Sequence, residues 1–286
     1  MIGDLVTGDY EAEFNGIQFG GSSPYQWTGI NLGATPDITT ANRNRLRRHG
    51  MKPGDRYYTM RAFVLDVEVW GRTAQEYADN MAALMAALET QGEQPFVIQA
   101  PEIAGGHKIR ANVRRTRDSQ SISTQSAQGK VSKFSVQFEA TDPRLYLNDV
   151  SAQATTLPSS VSGRTYDRTY PLDYGGVSTG GSIYATNIGN FVTPVIYRIA
   201  GPCVNPRIEN LTTDEVMTFN ITLADGESLI IDTDARTVQL DGVADRFYTK
   251  TSSNWIELEP GESEITFRAS TLTTATMTMT YRSAWI

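Results

Sequence analysis

Four stretches hold residue types whose spacing could do chemistry. GVSTG at 176–180 has the G-x-S-x-G spacing of a nucleophile elbow, in which a strand, a strained turn and a helix lift the serine above an α/β sheet beside a histidine. No helical pattern follows it, and the two histidines, His49 and His107, fall in the other half of the chain. DTDARTVQLDG, from Asp232, opens with the Asp-x-Asp of a calcium loop, but Arg236 takes the fifth position and glycine is missing from the sixth. An oxygen cage cannot close there, and the run reads as hairpin-turn chemistry. Glu257 with Glu259 and Glu262 with Glu264 are carboxylate pairs beside the EPGE turn; a glycosidase pair flanks a bond across a cleft, which adjacency in sequence does not supply. The fourth stretch is WIELEPGESEITFR, where Trp255 and Arg268 are the residues a sugar would contact. It has no histidine and no Asn-Arg grouping, so a core role is expected for Trp255, as for Trp27, Trp70 and Trp285. No phosphate loop, dinucleotide fingerprint or metal set occurs, so the expectation is a protein that is not an enzyme and has no cofactor.

Composition narrows the class further. The 286 residues are 40% hydrophobic and 20% charged, which fits a globular chain long enough for two domains. The formal net charge of −7 argues against a nucleic-acid-binding surface, which needs a basic face. HKIRANVRRTR at 107–117 is the local exception and is read as a solvated strand edge whose charge discourages pairing. One cysteine, Cys203, excludes an intrachain disulfide framework and is expected to be a small buried group. The start, MIGDLVTGDYEAEF, has no basic leader, and no apolar run approaches ~20 residues; synthesis in a cytoplasm and no membrane insertion are expected.

The elements are mostly strands. Helical spacing of Tyr77, Met81, Leu84, Met85 and Leu88, with Thr73 and Glu76 as a capping box and Gly92 beyond, predicts one helix over 73–91. Strands are predicted over 11–19, 56–70, 94–100, 108–116 and 131–140. Between the last two lies the polar stretch DSQSISTQSAQGK, 118–130, longer than a hairpin needs and therefore expected to work. Asp142-Pro143 ends the last of these strands, and the chain is expected to leave there for a second domain. After a Ser-, Thr-, Gly- and Tyr-rich stretch, short strands recur to the end with no helix. The predicted fold is mainly β: a sandwich-like first domain over 1–147 carrying the helix, and a β-sandwich or jelly roll over 148–286.

Several stretches together resemble one family. SSPYQWTGINLGATPDITTANRNRLRRHGMKPGD (22–55), FEATDPRLY (138–146), NIGNFVTPVIYRIAGPCVNPRIENLTTDE, LADGESLIIDTDARTVQLDG and the terminal YRSAWI are similar, in this order, to the distal tail proteins of siphophages. The resemblance implies an N-terminal ring-forming β domain and a galectin-like C-terminal sandwich. It implies a hexameric ring in the virion's distal tail between the tail tube protein and a tail-associated hub or lysin protein, with receptor-binding proteins nearby and DNA passing transiently through the lumen. The hairpin residues expected to contact a neighbouring subunit are Ser119, Gln120, Ser121, Ile122, Ser123, Gln125 and Gln128. The rival readings are a carbohydrate-binding module or host-surface adhesin and, behind it, an enzyme built on a β-sandwich.

Overall fold

The structure, a computed structural model, describes residues 2–120, 128–158 and 180–286. It is mainly β, and the chain divides into two compact units: Met1–Asp149 with Trp285–Ile286, and Val150–Ala284. The division falls within two residues of the expected break at 147, but the last two residues belong with the first unit.

Unit 1 begins with β1 (Glu11–Phe14) and β2 (Ile17–Phe19), which form a hairpin where a single strand was expected. Asn15 and Gly16, both at positive φ (46° and 81°), make the turn. Asn-Gly suits this because both central residues of a tight hairpin turn need positive φ. β3 (Tyr25–Ile30) follows, then four short strands, β4 (Ile38–Thr40), β5 (Arg43–Asn44), β6 (Met51–Lys52) and β7 (Arg56–Tyr58), and the long β8 (Arg61–Trp70). Helix α1 runs Ala74–Leu88; β9 (Gln94–Gln99), β10 (Ile109–Gln120), β11 (Val131–Ala140) and β12 (Leu145–Leu147) complete the unit. The main sheet has the order β2-β1-β9-β10-β11-β8-β3. β10 pairs with β9 through its first half and with β11 through its second, with an irregularity between Arg115 and Arg117. The basic stretch 107–117 therefore lies in the middle of the sheet and not at an edge. Its charge is answered locally: Arg114 pairs with Glu139 at 3.0 Å, and Arg115 with Glu89 and Asp118.

Alternating apolar residues of β8 and β11 face one core, pinned by four rings. Phe138 lies 5.0 Å from Phe14, 5.4 Å from Phe63 and 5.7 Å from Phe96, all fully buried. Helix α1 covers this core with Met81, Leu84 and Leu88. Thr73 caps it by accepting the Glu76 N–H at 3.0 Å, while the Glu76 carboxylate reaches back to the N–H of Arg72. The helix stops at Leu88, where its apolar periodicity stops, so it is shorter than the expected 73–91 and Gly92 is not its cap.

The Asp-Pro sequence does not release the chain. Asp142 accepts the Arg144 backbone N–H at 3.1 Å and the Tyr146 hydroxyl at 2.5 Å. The turn so formed lays β12 beside β10, with Tyr146 opposite Arg110 and Leu147 opposite Ile109. Pro143 cannot donate to a ladder, but its carbonyl accepts the buried Arg61 Nε–H at 2.8 Å.

Unit 2 is built on two larger antiparallel sheets, with a small third pair, Cys203–Val204 with Thr222–Leu223. One sheet runs Ser151–Thr156, Thr276–Tyr281, Val195–Ala200, Ser228–Asp232, Thr237–Leu240, Ala244–Asp245; the other Ser182–Asn187, Gly261–Arg268, Arg207–Asn210, Glu215–Thr218. Side chains from both, among them Ile183, Tyr197, Met217, Phe267 and Met279, share one core, as in a sandwich. Cys203 belongs to it, and burial pushes its thiol up to about 11.

Candidate functional site

Two projections of unit 1 offer exposed residues to a partner. The first is a ribbon over 37–59. β4 pairs with β7, and β5 with β6, in antiparallel register. Between the two pairs, Ala41 N–H donates to the Asp55 carbonyl and Gly54 N–H to Asn42 Oδ1. The tip closes where Arg45 N–H meets the Gly50 carbonyl at 3.3 Å. Every residue from Asp37 to Lys52 is exposed, and Leu46 (94%), Met51 (55%) and Tyr57 (67%) show apolar surface to solvent. A two-stranded ribbon without a core is marginal in water, so these side chains gain by packing on another surface.

Charge sets the ribbon apart from the rest. Arg43, Arg45, Arg47, Arg48, Lys52 and Arg56 are six of the chain's 25 Lys and Arg residues, against two acids in the ribbon, Asp37 and Asp55. No ion pair of the described residues involves any of the six. Sequence reasoning missed this feature because 41–56 has neither period; what marks it is the run of cations itself.

The second projection is the far end of the β10–β11 hairpin. Of the residues expected to contact a neighbour, Ser119 is exposed and pairs with Ser135, and the Gln120 backbone pairs with Phe134. Gln128 is exposed, and Ser121, Ile122, Ser123 and Gln125 lie outside the described residues. The base is fixed: the Lys130 ammonium donates to the Arg72 carbonyl at 2.8 Å and the Gly71 N–H to the Lys130 carbonyl at 3.1 Å. The hairpin is thus tied to the turn that starts α1.

The stretches that suggested chemistry are placed as follows. Asp232 Oδ1 accepts the N–H groups of Asp234 and Ala235, and Arg236 sits at φ 54°, the geometry of a hairpin turn. Among the described residues no group of three or more His, Cys, Asp or Glu side chains could hold a metal ion. Residues 176–179 of GVSTG lie outside the described residues. Trp255 packs against the unit 2 core, stacks at 6.2 Å on Phe247 and carries the Lys250 ammonium 4.6 Å from its ring centre. Arg268 spends its Nη1 on the carbonyls of Gly181 and Phe267. Trp255 and Arg268 thus engage separate partners.

Residues 188–285 match the family model described as siphovirus-type tail component, C-terminal domain. Across 96% of this chain and 99% of that one, the structure is similar to the Dit protein of phage SPP1, described as a paradigm of the hub of the adsorption apparatus in phages infecting Gram-positive bacteria, with a TM-score of 0.65 at 13% identity. Two structures of the phage p2 baseplate in its activated conformation, with calcium and with strontium, match at 12% identity over 91% of each chain, with TM-scores of 0.46 and 0.45. No curated protein matches in sequence. The second unit therefore carries a siphovirus-type tail domain on a chain with the Dit fold, as the sequence resemblance implied.

Proposed function

We propose that this protein is a structural component of the distal tail, assembled as a ring, with a hexamer the expected size. In this reading the ring joins the tail tube to the tail-tip hub, carries receptor-binding proteins at its periphery and lets DNA pass through its lumen. The observation that carries it is the exposed ribbon 37–59. A basic, partly apolar ribbon with no core of its own, on a chain with an acidic balance, suits a contact with another copy. Acidic surface elsewhere also suits a conduit, since a duplex slides past it without sticking. The tail-component domain and the Dit fold support the same role.

Light scattering on the eluting full chain tests it. The expected mass is several times the 31.5 kDa of the chain, falling to the monomer when residues 42–55 are removed and Ala41 is joined to Arg56. A full chain that stays monomeric at roughly 50 μM, far above the Kd of a specific assembly, would overturn the reading.

A further inference from the structure

On unit 1 a shallow cleft of about 440 Å³ is lined by Asp9, Tyr10, Gly20, Gly21, Gln26, Trp27 and Thr28. Its aromatic wall is held in place. Tyr10 is half exposed, yet its backbone sits at φ 61°, a region that a tyrosine avoids. Three hydrogen bonds keep it there: its N–H donates to the Gln99 carbonyl at 2.8 Å, its carbonyl accepts the Trp27 indole N–H at 2.6 Å, and its hydroxyl donates to Glu102 at 2.7 Å. The two rings lie 6.2 Å apart at 38°. Gly20 makes their approach possible, because a Cβ there would stand 2.4 Å from the Tyr10 carbonyl and 3.1 Å from Trp27 Nε1. Strain of this kind, over-determined by its surroundings, gathers at ligand sites.

The polar groups beside this wall are mainly acceptors. Asp9 Oδ1 takes one N–H from Gln99, leaving Oδ2. Gln26 donates both amide hydrogens, to Ser23 and Gly21, leaving Oε1. The Thr28 hydroxyl is exposed, with one long contact of 3.5 Å to the Asp66 carbonyl. No Lys or Arg lines the cleft, so a phosphate or other anion would meet Asp9 without a counter-charge. A ligand that offers hydroxyl donors and an apolar C–H face fits what is left: the rings take the face and the acceptors take the hydroxyls. The volume lies in the range of small-ligand clefts.

We propose that the Tyr10–Trp27 cleft binds a neutral, hydroxyl-rich saccharide of one or two pyranose rings. The test is saturation-transfer NMR on the full chain with glucose, galactose, N-acetylglucosamine and their disaccharides. At least one should bind with a Kd of roughly 1 mM, as a small ligand in an open site does. Tyr10→Gly removes the ring while relaxing the backbone, and Asp9→Ala removes an acceptor at an exposed site. Each should weaken binding about tenfold or more, with the melting temperature and the assembled mass unchanged. If Tyr10→Gly alters folding, Asp9→Ala decides. No transfer to any of these sugars at about 20 mM, well above that Kd, or binding that survives Asp9→Ala undiminished, would overturn the proposal, whatever the oligomeric state proves to be.

Discussion

At the residue scale, Arg61 does most to organise unit 1. It is 2% exposed, and three carbonyls surround its guanidinium: Pro143 on Nε at 2.8 Å, Leu32 and Ala34 on Nη1 at 2.6 and 2.7 Å. Burial pushes its pKa down to about 10, so it remains charged at neutral pH. Neutral carbonyls and not a carboxylate hold it, which makes the site one of hydrogen bonds to a charged donor, each worth more than a neutral pair. Arg61→Met should leave those carbonyls without their donor and cost about 2–4 kcal/mol, a fall of roughly 5–15 °C in the melting temperature of a unit this size. Arg61→Lys should recover part of the loss, since a point ammonium cannot serve all three carbonyls. A melting temperature within about 1 °C of the parent for Arg61→Met would mean that the turn at Pro143 holds without it. Nothing in the local sequence announces this: an arginine that starts a strand reads as a surface residue, and its partners are 27 to 82 positions away.

Elements were legible where a period or a turn signal was strong. Val131–Ala140 was readable to the residue because strict alternation matches a half-buried strand, and the Thr73 cap fixed the start of α1. Asn15-Gly16 was equally strong, yet the alternation on either side of it hides a hairpin inside what looks like one strand. The ribbon was opaque for a different reason, and the tip of the β10–β11 hairpin showed only as a polar stretch longer than a turn needs: neither stretch carries an apolar period. That same lack predicts how they respond to change. Replacing 121–127 by an Asn-Gly turn spares the Arg115–Asp118 pair, the ladder of Ser119 and Gln120 with Ser135 and Phe134, and the Lys130 tie to Arg72. The unit should stay folded, by circular dichroism, while the assembly dissociates at concentrations about tenfold higher than before. An unchanged assembly would free this hairpin of any subunit contact.

At the scale of the whole molecule, the proposed ring assigns assembly to the first unit, and that assignment can be tested by cutting the chain. Both projections and the core that holds Phe14, Phe63, Phe96 and Phe138 lie within Met1–Asp149, whereas the matched tail-component domain begins at residue 188. A chain ending at Asp149 should therefore still assemble. It also loses Trp285, which packs against the unit 1 core with its ring 6.0 Å from His107. Removing a half-buried tryptophan should lower the stability of the unit by about 1–3 kcal/mol without touching the ribbon. Two measurements separate these effects: thermal melting reports the lost packing, and light scattering reports the assembly. A shortened chain that is well folded but monomeric, beside a full chain that forms a ring, would move the assembly contacts to Val150–Ala284 and leave the ribbon to face some other protein of the tail.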